Sequence, residues 1–156
     1  MQNEQILNRK MTEEIEKIID KNYGSEFSLR DYGVILNNIE KKVKIFSKEI
    51  LDLNLSKLKV NSIGIYFGKL KANDKIHLTI EGSQLVGRDA KKNVSTISEE
   101  NAFPFMSGKD VFPESCKECE DHNFVIIKCG DDIMGTGLMQ EGKIKNLLPK
   151  SRKFYI

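Results

Sequence analysis

The hydrophobic positions of this chain follow two periods. Leu7, Met11, Ile15, Ile18 and Ile19 fall on one stripe of a 3.6-residue repeat, which predicts an amphipathic helix. Gly24 stands just past it, where a helix C-terminus takes glycine. The period then drops to two. Residues 32–36 read as a strand, Asn37-Asn38 as a polar turn, and residues 43–46 as the hairpin partner. Ser47 occupies an N-cap position before Ile50, Leu51, Leu53 and Leu55, which predict a short amphipathic helix. A second β pair follows. Ile63, Ile65 and Phe67 alternate with Gly64 and Tyr66, and Ile76, Leu78 and Ile80 alternate with His77 and Thr79. The turn between them carries Lys69, Lys71 and Lys75.

Residues 82–92 are polar and show no periodicity, which places a boundary near Arg88 and predicts domains at 1–88 and 89–156. The second part reads mostly as β. Residues 94–97, 123–128, 133–139 and 152–156 are strand candidates, with turn signals at Asp131-Asp132 and Glu141-Gly142. Ser98 with Glu99 and Glu100 predicts a capped helical turn ended by Gly108. The expected class is α+β: a small antiparallel sheet with helices, then a small barrel or sandwich.

Composition narrows the function classes. The 156 residues are 39% hydrophobic and 31% charged. The longest strictly apolar runs have four residues, as at 124–127, against the ~20 a spanning helix needs. The polar first twenty residues do not read as a signal peptide, so a cytoplasmic location without membrane association is the expectation. Net charge is only +2, but its distribution is uneven. Residues 37–75 hold nine Lys and four acidic residues, residues 114–132 hold two Lys and six acidic residues, and residues 141–156 hold five basic residues and one acidic. A basic tail of this kind suits a polyanion, the alternative being a solvated charged face.

The candidate chemistry is sparse. There is no phosphate-binding fingerprint, and the two histidines, His77 and His122, lie far apart. No enzymatic activity and no cofactor are expected. Cys116 and Cys119 form a C-x-x-C, with His122 and Cys129 within fourteen residues. Reduced, unliganded thiols are the expected state, zinc ligation by these four is the alternative, and redox activity is a third reading. Gly135 and Gly137 sit at i and i+2 on a predicted strand, which permits either tight packing or a groove for a polynucleotide backbone. Lys143, Lys145, Lys150, Arg152 and Lys153 interleave with apolar residues and with Phe154 and Tyr155, one of which suits base stacking. The lysine-rich turn at Lys69, Lys71 and Lys75 is the competing surface and reads as solvated.

These residues carry a family resemblance. The segments at 103–111, 124–128, 133–137 and 143–152 resemble a PUA domain, the RNA-binding module named after pseudouridine synthases and archaeosine transglycosylases. The 143–152 run is also similar to the PUA-like domain of Nop/Sun RNA cytosine methyltransferases. Together with residues 32–36, 43–53, 62–69 and 75–80, the order of segments resembles the ribosome-biogenesis factor family typified by nuclear import protein seven, with its archaeal relatives. Ile133, Met134 and Thr136 depart from that family's Pro-Leu-Gly-aromatic segment.

The resemblance implies an N-terminal pre-PUA domain followed by a PUA β-barrel. It implies a non-catalytic protein that binds rRNA or tRNA during ribosome assembly or rRNA modification, with pre-ribosomal proteins or a modification enzyme as partners. One alternative is an RNA-delivering accessory subunit of an RNA cytosine methyltransferase. Another is a zinc-stabilised protein-interaction module. The implied RNA face comprises Lys143, Lys145, Lys150, Arg152 and Lys153, with Lys109 beside Gly108 at its edge. Arg152 ranks first in this set, because a guanidinium grips phosphate with two parallel hydrogen bonds.

Overall fold

A computed structural model describes residues 3–52 and 64–154. The parts of the sequence reading that fall on Leu53, Leu55, Ser62, Ile63, Tyr155 and Ile156 lie outside the described residues. The chain runs β1 (Glu4–Ile6), α1 (Arg9–Tyr23), β2 (Tyr32–Asn37), β3 (Lys42–Ser47), a 3-10 turn (Lys48–Asp52), β4 (Ile65–Lys71), β5 (Lys75–Leu78) and α2 (Ile80–Val86). It continues through β6 (Val94–Thr96), α3 (Glu99–Met106), β7 (Ser115–Lys117), β8 (Phe124–Cys129), β9 (Asp132–Gln140), β10 (Lys143–Asn146) and a final 3-10 turn (Lys150–Arg152).

The first sheet has strand order β1-β2-β3-β4-β5 and is antiparallel throughout. Helix α1 closes its inner face. Asn8 caps the helix by accepting from the Met11 N–H at 2.9 Å, and Gly24 ends it at φ +59°. Ile15, Ile19 and Tyr23 pack on Val34, Val43, Ile45, Phe67, Ile76 and Leu78. Met11, assigned to the apolar stripe by its spacing, is exposed instead. The second sheet has order β10-β9-β8-β6-β7, with one parallel pair, β6 and β8. Its other face packs on α3 around Ile97, Phe105, Val125, Ile127 and Ile144.

The two halves share a core. In β8, Val125 and Ile127 point into the second cluster while Ile126 joins the first, together with Val86 and Val94. The uninterrupted apolar run at 124–127 is therefore a strand buried on both faces. Polar links reinforce the junction. Asn93 Nδ2 donates to Asn22 O at 2.5 Å, and Thr136 Oγ1 to Leu78 O at 3.0 Å.

The α+β class is as the sequence implies, but several elements differ. The second sheet is open among the described residues, with β7 and β10 at its edges and only a Val111–Ile144 bridge extending β10. Of the expected strand at 152–156, Arg152 closes a 3-10 turn that Pro149 precedes, and no strand forms at 153–154 among the described residues. Ile80 starts α2 instead of prolonging β5, and the segment without periodicity at 82–86 lies in that helix. Gly64 stands at a bend before β4, at φ +87°, and not inside the strand.

Candidate nucleic-acid interface

The six basic residues proposed from the sequence fall into three groups. Lys143 and Lys145 alternate on β10 with Ile144, which is buried in the second core, so both amines face outward. They line a depression of about 430 Å3 with Asp110, Phe112, His122, Gln140 and Glu141. Phe112 is 64% exposed, and Lys143 Nζ stands 5.4 Å from its ring centroid. An exposed aromatic ring held under an ammonium offers one group for a base and one for a phosphate. Asp110 and Glu141 are the carboxylates of this depression. Asp110 Oδ1 accepts from Asn146 N at 2.8 Å, and the Glu141 amide is held by Asp121 Oδ1 at 2.8 Å.

Lys109 and Lys153 form the second group. A side chain at Gly108 would meet Lys153 Cδ at 2.7 Å, so the lysine stem lies across the glycine. Asn146 Nδ2 donates to Phe105 O at 2.7 Å and to Lys109 O at 3.0 Å, which ties the end of β10 to the turn after α3.

Lys150 and Arg152 form the third group, on the turn where the chain returns to the first half. Arg152 Nη1 bonds Glu81 Oε1 at 2.6 Å. Burial pushes the Glu81 carboxyl up, but the Arg152 hydrogen bond and charge more than offset it and hold the group below the usual carboxylate range. Arg152 therefore already has a carboxylate partner, with which a phosphate would compete. It also borders a groove of about 500 Å3 between the halves, which Tyr66, His77, Thr79 and Leu148 help to line.

The two strand glycines do not open a groove. A Cβ at Gly135 would meet Leu148 Cδ2 at 3.2 Å and Ile80 Cγ1 at 3.3 Å, and one at Gly137 would meet Ile144 Cγ2 at 2.5 Å. The space above them is filled by the protein itself, so their role is close packing.

Cys116 and Cys119 are neighbours, and no third candidate ligand among the described residues joins them in a metal-ligating group. Cys116 is exposed on β7, Cys119 donates through Sγ to Val94 O at 3.4 Å, and Cys129 ends β8. Among the described residues no three His, Cys, Asp or Glu side chains form a metal-ligating group. Burial and the neighbouring Cys116 push the Cys119 thiol up to about 12, which keeps it protonated and a poor nucleophile at neutral pH. No described helix is long and apolar enough to cross a membrane.

Sequence reasoning missed Phe112, because an isolated aromatic after a helical turn has no periodic signal. It also missed the Glu81–Arg152 pair, whose members are 71 positions apart.

The fold is shared with solved PUA-domain proteins. The chain is similar to a conserved PUA domain protein from Thermoplasma acidophilum (TM-score 0.63, 10% identity, 94% of this chain and 93% of that one). It is also similar to a PUA domain protein from Aeropyrum pernix K1 solved as a tartrate complex (TM-score 0.56, 9% identity, 93% and 84% covered). Residues 92–154 match the family described as the methyltransferase RsmF PUA domain. No curated protein matches the sequence.

Proposed function

We infer that this chain is a non-catalytic RNA-binding protein that engages rRNA in ribosome assembly or rRNA modification, in the manner of the family typified by nuclear import protein seven. The observation that carries the reading is the outward face of β10. There Lys143 and Lys145 flank an exposed Phe112 on a half whose sequence matches a PUA domain. Two cations beside one aromatic ring suit a single-stranded or loop segment, whose bases are free to stack. Backbone contact dominates this mode and base readout is limited. The absence of any nucleotide-binding or acid/base motif in the sequence supports a binding role over catalysis.

A second reading is favoured by one observation. The matching family is described as the PUA domain of the methyltransferase RsmF. The protein would then deliver RNA to a methyltransferase acting in trans. Co-purification separates the readings: pre-ribosomal particles support the first, a methyltransferase the second.

The direct test is fluorescence anisotropy of a labelled single-stranded RNA across a salt series. Wild type should bind with affinity falling steeply as salt rises. Changing Lys143 and Lys145 together to Ala should lower the log–log slope by about 1.4, two phosphate contacts at roughly 0.7 each. A flat salt profile for wild type, or an unchanged slope in the variant, rejects the assignment.

A further inference from the structure

The first sheet has a second face that α1 does not cover, and its registers concentrate cations there. Lys42 lies opposite Lys69, which lies opposite His77, and Lys71 lies opposite Lys75. Lys44 lies opposite Tyr66. The inner neighbours Val43, Leu70, Ile76 and Leu78 join the core, so these residues share the outer face. Like charges directly opposite on neighbouring strands destabilise a sheet. Two such pairs, Lys42–Lys69 and Lys71–Lys75, stand side by side. Folding alone gives no reason for them.

Glu4 and Glu40 line one depression with Lys42, Lys44 and Tyr66, while Asp74 is engaged elsewhere. Glu40 pairs with Lys42 at 3.2 Å and Asp74 with Lys21 at 3.6 Å. Lys69 and Lys71 make no ion pair among the described residues. Their field is felt at His77, whose pKa is lowered to about 4, first by burial and then by Lys71 and Lys69.

An aromatic ring sits within this lysine field. Tyr66 is exposed, and Lys42 Nζ lies 5.5 Å from its ring centroid, the same ammonium-and-ring pairing as Lys143 and Phe112. The two faces are also linked. Lys75 Nζ donates to His122 O at 3.0 Å, and His122 lines the depression that holds Lys143 and Lys145. A track of cations therefore runs from Lys69 and Lys71 past Lys75 to β10.

We propose that the outer face of the first sheet is a second RNA site, in which Lys69, Lys71 and Lys42 hold the backbone of a single strand and Tyr66 stacks one base, continuous with the β10 face. The proposal rests on the RNA-binding reading above and extends the footprint to the N-terminal half. A strand-surface aromatic among lysines fits a nucleic acid better than an acidic polypeptide, which has no flat base for the ring.

The test uses the full chain, a labelled mixed-sequence RNA 20-mer and three variants: K69A/K71A, Y66A and K143A/K145A. K69A/K71A should weaken binding at least tenfold and lower the salt slope by about 1.4. Its melting temperature should stay level or rise, since two repulsions are relieved. Y66A should weaken binding between about five- and a hundredfold with the slope unchanged, as loss of one stacked base does. A K69A/K71A protein with wild-type affinity and slope overturns the second site, while a loss in K143A/K145A alone preserves the β10 reading. A Y66A protein that binds like wild type also overturns the proposal. Poly-glutamate competing as effectively as unlabelled RNA would assign the face to an acidic protein instead. Absence of any wild-type RNA binding rejects both readings together.

Discussion

Replacing Gly82 with Ala should destabilise the protein by about 1–3 kcal/mol, although the same change in an exposed helix stabilises by roughly 1 kcal/mol. Gly82 is buried in the first turn of α2. A Cβ built there lies 2.1 Å from Phe67 O and 3.1 Å from Phe67 C. Relieving that contact requires the helix and β4 to part by about 1 Å. Overpacking of this kind costs roughly 1–3 kcal/mol. Phe67 O also accepts from Thr79 N at 3.1 Å, and strain on that bond adds about 0.5–1.5 kcal/mol. The propensity gain of roughly 1 kcal/mol offsets only part of this. Urea denaturation with a shared slope measures the difference. Gly130→Ala is the control, because its φ is +59° with nothing within 4 Å, so its cost should be about 1–2 kcal/mol from backbone strain alone. A Gly82→Ala protein at least as stable as wild type would refute the account of how α2 seats on the sheet.

Other outcomes follow from the same geometry. Thr79→Ala removes the α2 cap, which accepts from Gly82 N at 3.0 Å and donates to Tyr66 O at 2.6 Å, and should cost about 1–2 kcal/mol in thermal unfolding. His77 is stacked on Phe124 with centroids 4.8 Å apart and has its pKa lowered from 6.5 to about 4, so the folded state favours the neutral ring. Its contribution is complete above pH 6.5 and is lost as pH falls toward 4. Stability should drop by about 2–3 kcal/mol more in wild type than in His77→Gln across that window, read by denaturation at each pH. Arg152→Ala should cost less than about 1 kcal/mol, since the pair with Glu81 is half-exposed, and the loss should vanish in acid as the lowered Glu81 carboxyl finally protonates. In a thiol-reactivity assay near pH 8, Cys116 should react first and Cys119 slowly, because only the former is exposed and the latter's pKa is about 12.

The sequence made strongly periodic elements legible and left short or two-sided ones hidden. Ile15, Ile19 and Gly24 mark α1 because one helical face must be buried and its end needs a left-handed residue. The β2–β3 hairpin is visible because Val34, Val43 and Ile45 alternate with outward residues. Strand β7 has all three residues exposed, so it leaves no hydrophobic period, and β1 is only three residues long. Helix α2 was masked by Ile80, which completes a period-two pattern with Ile76 and Leu78 although it begins a helix.

At the candidate interface, the charge run identified Lys143 and Lys145, but the run does not show which cations already have partners. Folding sets Arg152, first in rank by its chemistry, beside Glu81. The cations on the outer sheet face were present in the sequence as Lys42, Lys44, Lys69 and Lys71. Only strand register shows that they share one surface with Tyr66.

The central claim is that this protein binds RNA through a basic, aromatic-bearing surface centred on β10. Ultraviolet crosslinking in cells, followed by sequencing of the recovered RNA, tests it most directly. The account predicts RNA recovery well above a non-binding control, rRNA segments dominating the reads, and a marked loss when Lys143 and Lys145 are both changed to Ala. Recovery at control level for the wild-type protein would contradict it.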